Sequence, residues 1–138
     1  MRQYLRSETL RRLHQPVFRG LVMRAYRNQC CVCRLRHGAL LDAAHIVEDR
    51  HDLGVAAVRN GLALCKIHHA AYDSGILGVT PRLEVQIRSD VLAETDGPLL
   101  EHGLKKLHGQ HLQVLPLSRR ESPDPELLEI HYARFRSA

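Results

Sequence analysis

All four cysteines of the chain, Cys30, Cys31, Cys33 and Cys65, lie within residues 30–65. Cys30-x-x-Cys33 is a close pair of thiols, and Cys65-x-x-His68 repeats that spacing with an imidazole as its second donor. Together the two half-sites offer three thiolates and one imidazole, a common tetrahedral set for structural zinc. A redox pair is the other chemistry of a CxxC spacing, but it belongs beside a βαβ pattern, which is missing here, and has no use for the second half-site. A secreted disulfide framework would spread its cysteines along the chain. Cys31 is left over and reads as a small buried thiol. Three polar residues stand inside the cysteine bracket: His45, Asn60 and His69, separated by 15 and 9 residues. Alone, each has a bland reading. A single histidine can be a satisfied core residue, and Asn60-Gly61 is the usual composition of a tight turn.

The elements that must position these residues are short. Leu40 to Ile46 suits a strand with His45 at its end, and residues 47–60 (VEDRHDLGVAAVRN) read as a polar, Gly-containing loop that returns at Asn60. Leu62 to Leu64 is a second short strand. Residues 65–74 follow as a helix stopped by Gly75. Upstream, residues 4–14 look helical and Pro16 ends or restarts the run. Residues 17–28 then carry Phe18, Leu21, Val22, Ala25 and Tyr26 at helical spacing, which leaves Arg19, Arg24 and Arg27 largely on the outer faces. Downstream, Ile76–Thr80 and Leu83–Ile87 make a hairpin candidate. A short helix near 101–108 and a last helix near 125–136 complete the chain. The expected architecture is α+β: two strands, a CxxC/CxxH zinc knuckle and a helix, wrapped by N- and C-terminal helices.

At 138 residues the chain is expected to be one domain, with a core over about 18–90, a basic N-terminal helix over 1–17 and a C-terminal extension over 91–138. A hydrophobic share of 44% and a charged share of 25% are those of a globular chain. No stretch approaches the ~18 consecutive apolar residues of a membrane helix. Residues 1–12 carry Arg2, Arg6, Arg11 and Arg12 without the apolar segment of a secretory signal, so no membrane partner is expected. Charge is unevenly placed. Residues 1–36 hold nine Arg and one acid, residues 37–104 hold five basic and ten acidic side chains, and 17 of the 20 basic residues are Arg. A basic flank beside an acidic middle suits a polyanion binder with a cation site at its centre.

A strand, loop, strand and helix bracketed by CxxC and CxxH half-sites resembles the HNH endonuclease family, of the ββα-metal fold. The strings LLDAAHI (40–46) and NGLALCKIHHAAYDSGIL (60–77) are especially like HNH domains of bacterial restriction endonucleases. The resemblance covers roughly residues 18–90. It implies a metal-dependent DNA endonuclease, in which His45 is the general base that takes a proton from the attacking water, a task suited to an imidazole with a reference pKa of ~6.5. It also implies that His69 belongs to a catalytic metal site holding Mg²⁺, Mn²⁺ or another divalent ion, separate from the structural Zn²⁺. Spacing agrees, since His69 and Asp73 are four apart on the predicted helix and project from one face. Asn60 would pin the loop that presents His45 through side-chain hydrogen bonds.

One departure stands out. Many family members place Asp or His just before the base histidine, and here that position is Ala44. Asp42 is the nearest carboxylate, but strand alternation puts residues 42 and 44 on the face opposite His45, so Asp42 reaches the site only if the strand bends or ends near residue 43. Arg19, Arg24 and Arg27 are expected to contact the DNA backbone. The reading is therefore a restriction-type HNH nuclease of the bacterial cytoplasm acting on DNA. Cutting both strands usually wants two active sites, which leaves a homodimer open. A zinc-stapled DNA-binding module without turnover is the alternative.

Overall fold

The computed structural model describes residues 2–48, 50 and 52–138. Asp49 and His51, from the expected 47–60 loop, lie outside the described residues. Helix α1 (Arg2–Ala25) runs for 24 residues with Pro16 inside it. The expected break at Pro16 is therefore corrected. Proline withdraws one N–H, but the carbonyl it would have served, on exposed Arg12, is open to water. Beyond Pro16, burial of Phe18, Val22, Ala25 and Tyr26 holds the helix in register on the core. The helix closes through Arg27 and Asn28, both at φ 55°, with the Asn28 N–H donating to the Met23 carbonyl at 2.8 Å. That left-handed exit delivers the chain directly to Cys30.

Strands β1 (Leu41–His45) and β2 (Gly61–Cys65) pair antiparallel, with Leu41 opposite Cys65 and His45 opposite Gly61. Between them lies α2 (Gly54–Arg59), a helix where only loop was expected. Its Ala57 and Val58 are buried, and tertiary packing of those two residues stabilises six residues whose own periodicity is too short to be read. Helix α3 (Lys66–Asp73) follows β2 without a gap. Strands β3 (Leu77–Val79) and β4 (Val85–Ile87) form a second antiparallel pair, as the hairpin pattern predicts. Then come α4 (Ser89–Leu92), α5 (Pro98–Gly103) with a 3-10 turn at Lys105–Leu107, and α6 (Pro125–Ser137). The short helix expected near 101–108 thus begins at Pro98, which sits at a first-turn position where its missing N–H costs nothing.

Two glycines mark close approaches between layers. A Cβ at Gly61 would stand 2.5 Å from Val22 Cγ2 and 3.0 Å from Phe18 Cζ, so α1 lies directly on the corner between α2 and β2. A Cβ at Gly78 would enter the Phe135 ring at 2.6 Å, which is how α6 seats on β3. Helix α6 also reaches α3, where His131 stacks on Tyr72 with centroids 3.7 Å apart and planes 6° from parallel. Tyr72 is 1% exposed, and its hydroxyl is buried without a hydrogen-bond partner among the described residues. An orphaned buried hydroxyl costs about 1–3 kcal/mol. Tyr72→Phe is therefore expected to stabilise the protein by about 1 kcal/mol in denaturant unfolding. A loss of stability would show that the hydroxyl is used within the fold. Among the described residues no helix is long and apolar enough to cross a membrane.

Candidate functional site

The knuckle at Cys30 is shaped by its backbone. Cys30 N–H donates to the Leu35 carbonyl and Arg34 N–H to the Cys30 carbonyl, both at 2.8 Å, which folds Cys33 back toward Cys30. Cys65 ends β2 and caps α3, its Sγ accepting from the His68 N–H at 3.4 Å. The donor atoms of Cys30, Cys33, Cys65 and His68 all lie within 4.8 Å of one another, so the group could hold a metal ion. His68 Nδ1 faces the sulfurs, 3.3 Å from Cys65 and 3.7 Å from Cys30. Its Nε2 lies 2.7 Å from the Gly103 carbonyl of α5, which fixes the ring as a second-layer partner of a ligating histidine does. The cluster draws positive charge. Hydrogen bonds with Cys30, then Cys33, hold the Cys65 thiol far below its ordinary range. Burial opposes charge on His68, yet the sulfurs of Cys30 and Cys65 and the Gly103 carbonyl push it up to about 10. Cys31 is fully buried outside this group, and burial raises its thiol.

One residue further along α3, His69 turns to a different neighbourhood. Its Nδ1 lies 2.8 Å from Asp42 Oδ2 and its Nε2 3.1 Å from Asp73 Oδ2. Lys66 Nζ holds the other Asp42 oxygen at 2.5 Å. Burial alone would raise Asp42, but the hydrogen bonds from Lys66 and His69 outweigh it and keep the carboxyl below its usual value. An imidazole between two carboxylates needs a proton toward each. With Nδ1–H given to Asp42, the lone pair of Nε2 would face Asp73, and only a second proton or a cation makes that contact favourable. An imidazole nitrogen beside a carboxylate oxygen is a donor pair that a small divalent ion accepts. His69 and Asp73 could therefore hold such an ion, with Asp42 orienting the ring.

His45, Asn60, His69, Asp73 and Asp42 all line one cleft of about 760 Å³. Asp42 was expected to reach the site only if the strand bends or ends near residue 43, and the strand does not end there. Strand β1 runs intact through His45, and His69, projecting from α3, comes to Asp42 instead. His45 lies flat on Phe18 of α1, with centroids 3.8 Å apart and planes 6° from parallel, which sets the plane of its ring. Asn60 is 2% exposed and grips both main-chain groups of Val47: its Oδ1 accepts from the Val47 N–H and its Nδ2 donates to the Val47 carbonyl, each at 2.9 Å. Tyr26 OH donates to the neighbouring Gly61 carbonyl at 3.1 Å and steadies the same corner.

The three arginines singled out in the sequence are not brought together. Arg19 lines the cleft, though its guanidinium donates to the Leu41 and Gly38 carbonyls at 2.7 and 3.2 Å. Arg27 clamps the Leu115 carbonyl at 3.1 Å, and exposed Arg24 lies outside the cleft wall. The wall instead includes Arg11, from the basic flank expected to suit a polyanion, together with His14 and Arg50, which sequence reasoning missed. Arg11, His14, Gln15 and Phe18 share one helical face, a signal visible only if the helix is carried through Pro16.

Residues 30–80 match the profile of the HNH endonuclease family. Among solved structures the chain is similar to a protein described as "Modification dependent TagI restriction endonuclease", with a TM-score of 0.55 and 20% identity. That likeness covers 85% of this chain and 36% of the other, so the chain spans about a third of the length of that protein. No curated protein matches the chain.

Proposed function

We propose that the protein is a metal-dependent endonuclease that hydrolyses phosphodiester bonds in DNA, with His45 as general base. The observation that carries this reading is the convergence of His45 with the Asp42–His69–Asp73 chain in one cleft, walled by Arg11 and Arg19. In this reading Cys30, Cys33, Cys65 and His68 hold a structural Zn²⁺. His69 and Asp73 hold a second divalent ion, Mg²⁺ or Mn²⁺, which when bound would neutralise the phosphate and favour departure of the 3′ oxygen. His45, its ring plane set by Phe18 and its strand end pinned through Asn60, accepts the proton of the attacking water. Arg11 and Arg19 attract the phosphate backbone into the cleft. The match of residues 30–80 to the HNH endonuclease profile and the fold shared with a restriction endonuclease support the choice of DNA as substrate.

Supercoiled plasmid incubated with Mg²⁺, Mn²⁺ or Ni²⁺, with and without EDTA, tests the proposal. Conversion to nicked or linear DNA that EDTA abolishes is the expected result. A gel shift without cleavage under every metal would instead make the protein a zinc-stapled DNA-binding module.

A further inference from the structure

A smaller cavity of about 300 Å³ adjoins the cleft, and His45, Glu48 and Asp73 line both. These three residues form a wall between the two spaces. The far side of the small cavity belongs to α6, through His131, Arg134 and Phe135. Its lining includes the stacked Tyr72–His131 pair, in which Tyr72 OH and His131 Nδ1 are buried without hydrogen-bond partners among the described residues. Arg134 is exposed and enters none of the ion pairs found among the described residues. Its neighbours on α6 differ in this respect. Arg136 pairs with Glu129 at 3.3 Å and lies over the Tyr132 ring at 4.9 Å.

We infer that this cavity is a second phosphate subsite, in which Arg134 holds a phosphodiester flanking the scissile one on the same strand. The inference rests on the nuclease reading and extends it beyond the cleft. A strand crossing the wall of His45 and Asp73 has cations on both sides. Arg11 and Arg19 lie toward α1, and Arg134 lies toward α6. The wall carries the carboxylates of Glu48 and Asp73, which repel an anion unless a cation is held beside them. The flanking phosphate is held beyond the wall, where the exposed Arg134 guanidinium, in no ion pair among the described residues, offsets Glu48 and Asp73 and offers a forked contact. The subsite fixes where the strand lies relative to His45 without reading its sequence.

The test pairs Arg134→Ala with DNA duplexes carrying one neutral methylphosphonate at successive positions beside the cleavage site. Binding is read by fluorescence anisotropy in EDTA, so that nothing is cut, and nicking rates are read separately with Mg²⁺ or Mn²⁺. Arg134→Ala is expected to weaken binding roughly 5–10-fold and to flatten the salt dependence by about one unit of slope, the value of one lost phosphate contact. One methylphosphonate position should cost the parent a similar factor and cost Arg134→Ala nothing more. Arg136→Ala, on the same helix, should leave binding and slope unchanged. If the parent binds and cuts DNA but every methylphosphonate penalises parent and Arg134→Ala alike, the subsite is overturned and the nuclease reading stands. If the parent neither binds nor cuts DNA, the nuclease reading fails and the subsite falls with it.

Discussion

His45→Ala is expected to lower phosphodiester cleavage by roughly 10²–10⁴-fold, the usual contribution of a positioned general base, while the variant stays folded and keeps its metal. The imidazole sits at the end of β1 and is only partly buried, so its removal takes away a ring packed on Phe18 but no part of the buried core. The informative comparison is a nicking time course beside a melting curve. Near-parental nicking with unchanged metal dependence would show that another group accepts the proton. A collapse in melting temperature would show that the stack on Phe18 is what the residue supplies.

A larger effect on stability is expected from the cysteine cluster. Zinc bound by such ligands contributes about 10–16 kcal/mol of apparent binding energy, which is also folding energy. That matches or exceeds the ~5–15 kcal/mol net stability of an ordinary domain. Cys33→Ser or His68→Ala should therefore release zinc and largely unfold the knuckle and the strands it joins. His69→Ala and Asp73→Ala should retain the zinc and most of the stability, while cleavage loses its response to Mg²⁺ or Mn²⁺. Zinc quantification and thermal melts of the four variants distinguish the two classes. Zinc lost from His69→Ala and kept in His68→Ala would reverse the assignment of the two histidines.

The parts of this protein legible in its sequence are those encoded by local spacing. The donor sets Cys30-x-x-Cys33 and Cys65-x-x-His68 each lie within one knuckle or one helical turn, and His69 with Asp73 within another, so short-range geometry alone brings each pair together. The hairpin of β3 and β4 follows from the turn at Pro81-Arg82. What escaped depends on tertiary packing or on groups without a side-chain signature. The cleft wall of Arg11 and His14 requires α1 to pass Pro16, and that depends on the core beneath the helix's second half. Helix α2 exists because Ala57 and Val58 are buried, not because six residues prefer a helix. The partner of His68 is the main-chain carbonyl of Gly103, which any residue type could offer. Arg134 comes to the small cavity beside the cleft on a helix whose Phe135 packs on Gly78.

The consecutive histidines of α3 also restrict how the gene can change length. Neighbouring residues on a helix differ by ~100° in direction, so removal of one codon between Cys65 and His68 would rotate the rest of the helix against the strand before it. His69 would then stand three residues after Cys65 and inherit the sulfur cluster, so the Cys-x-x-His pattern would survive unbroken. The cleft, by contrast, would lose the imidazole that His69 places between Asp42 and Asp73, and the carboxylate of Asp73 would turn away with it. A single deletion would thus be silent in the motif and severe in the cleft, which makes the first turn of α3 a place where aligning by cysteines alone misleads.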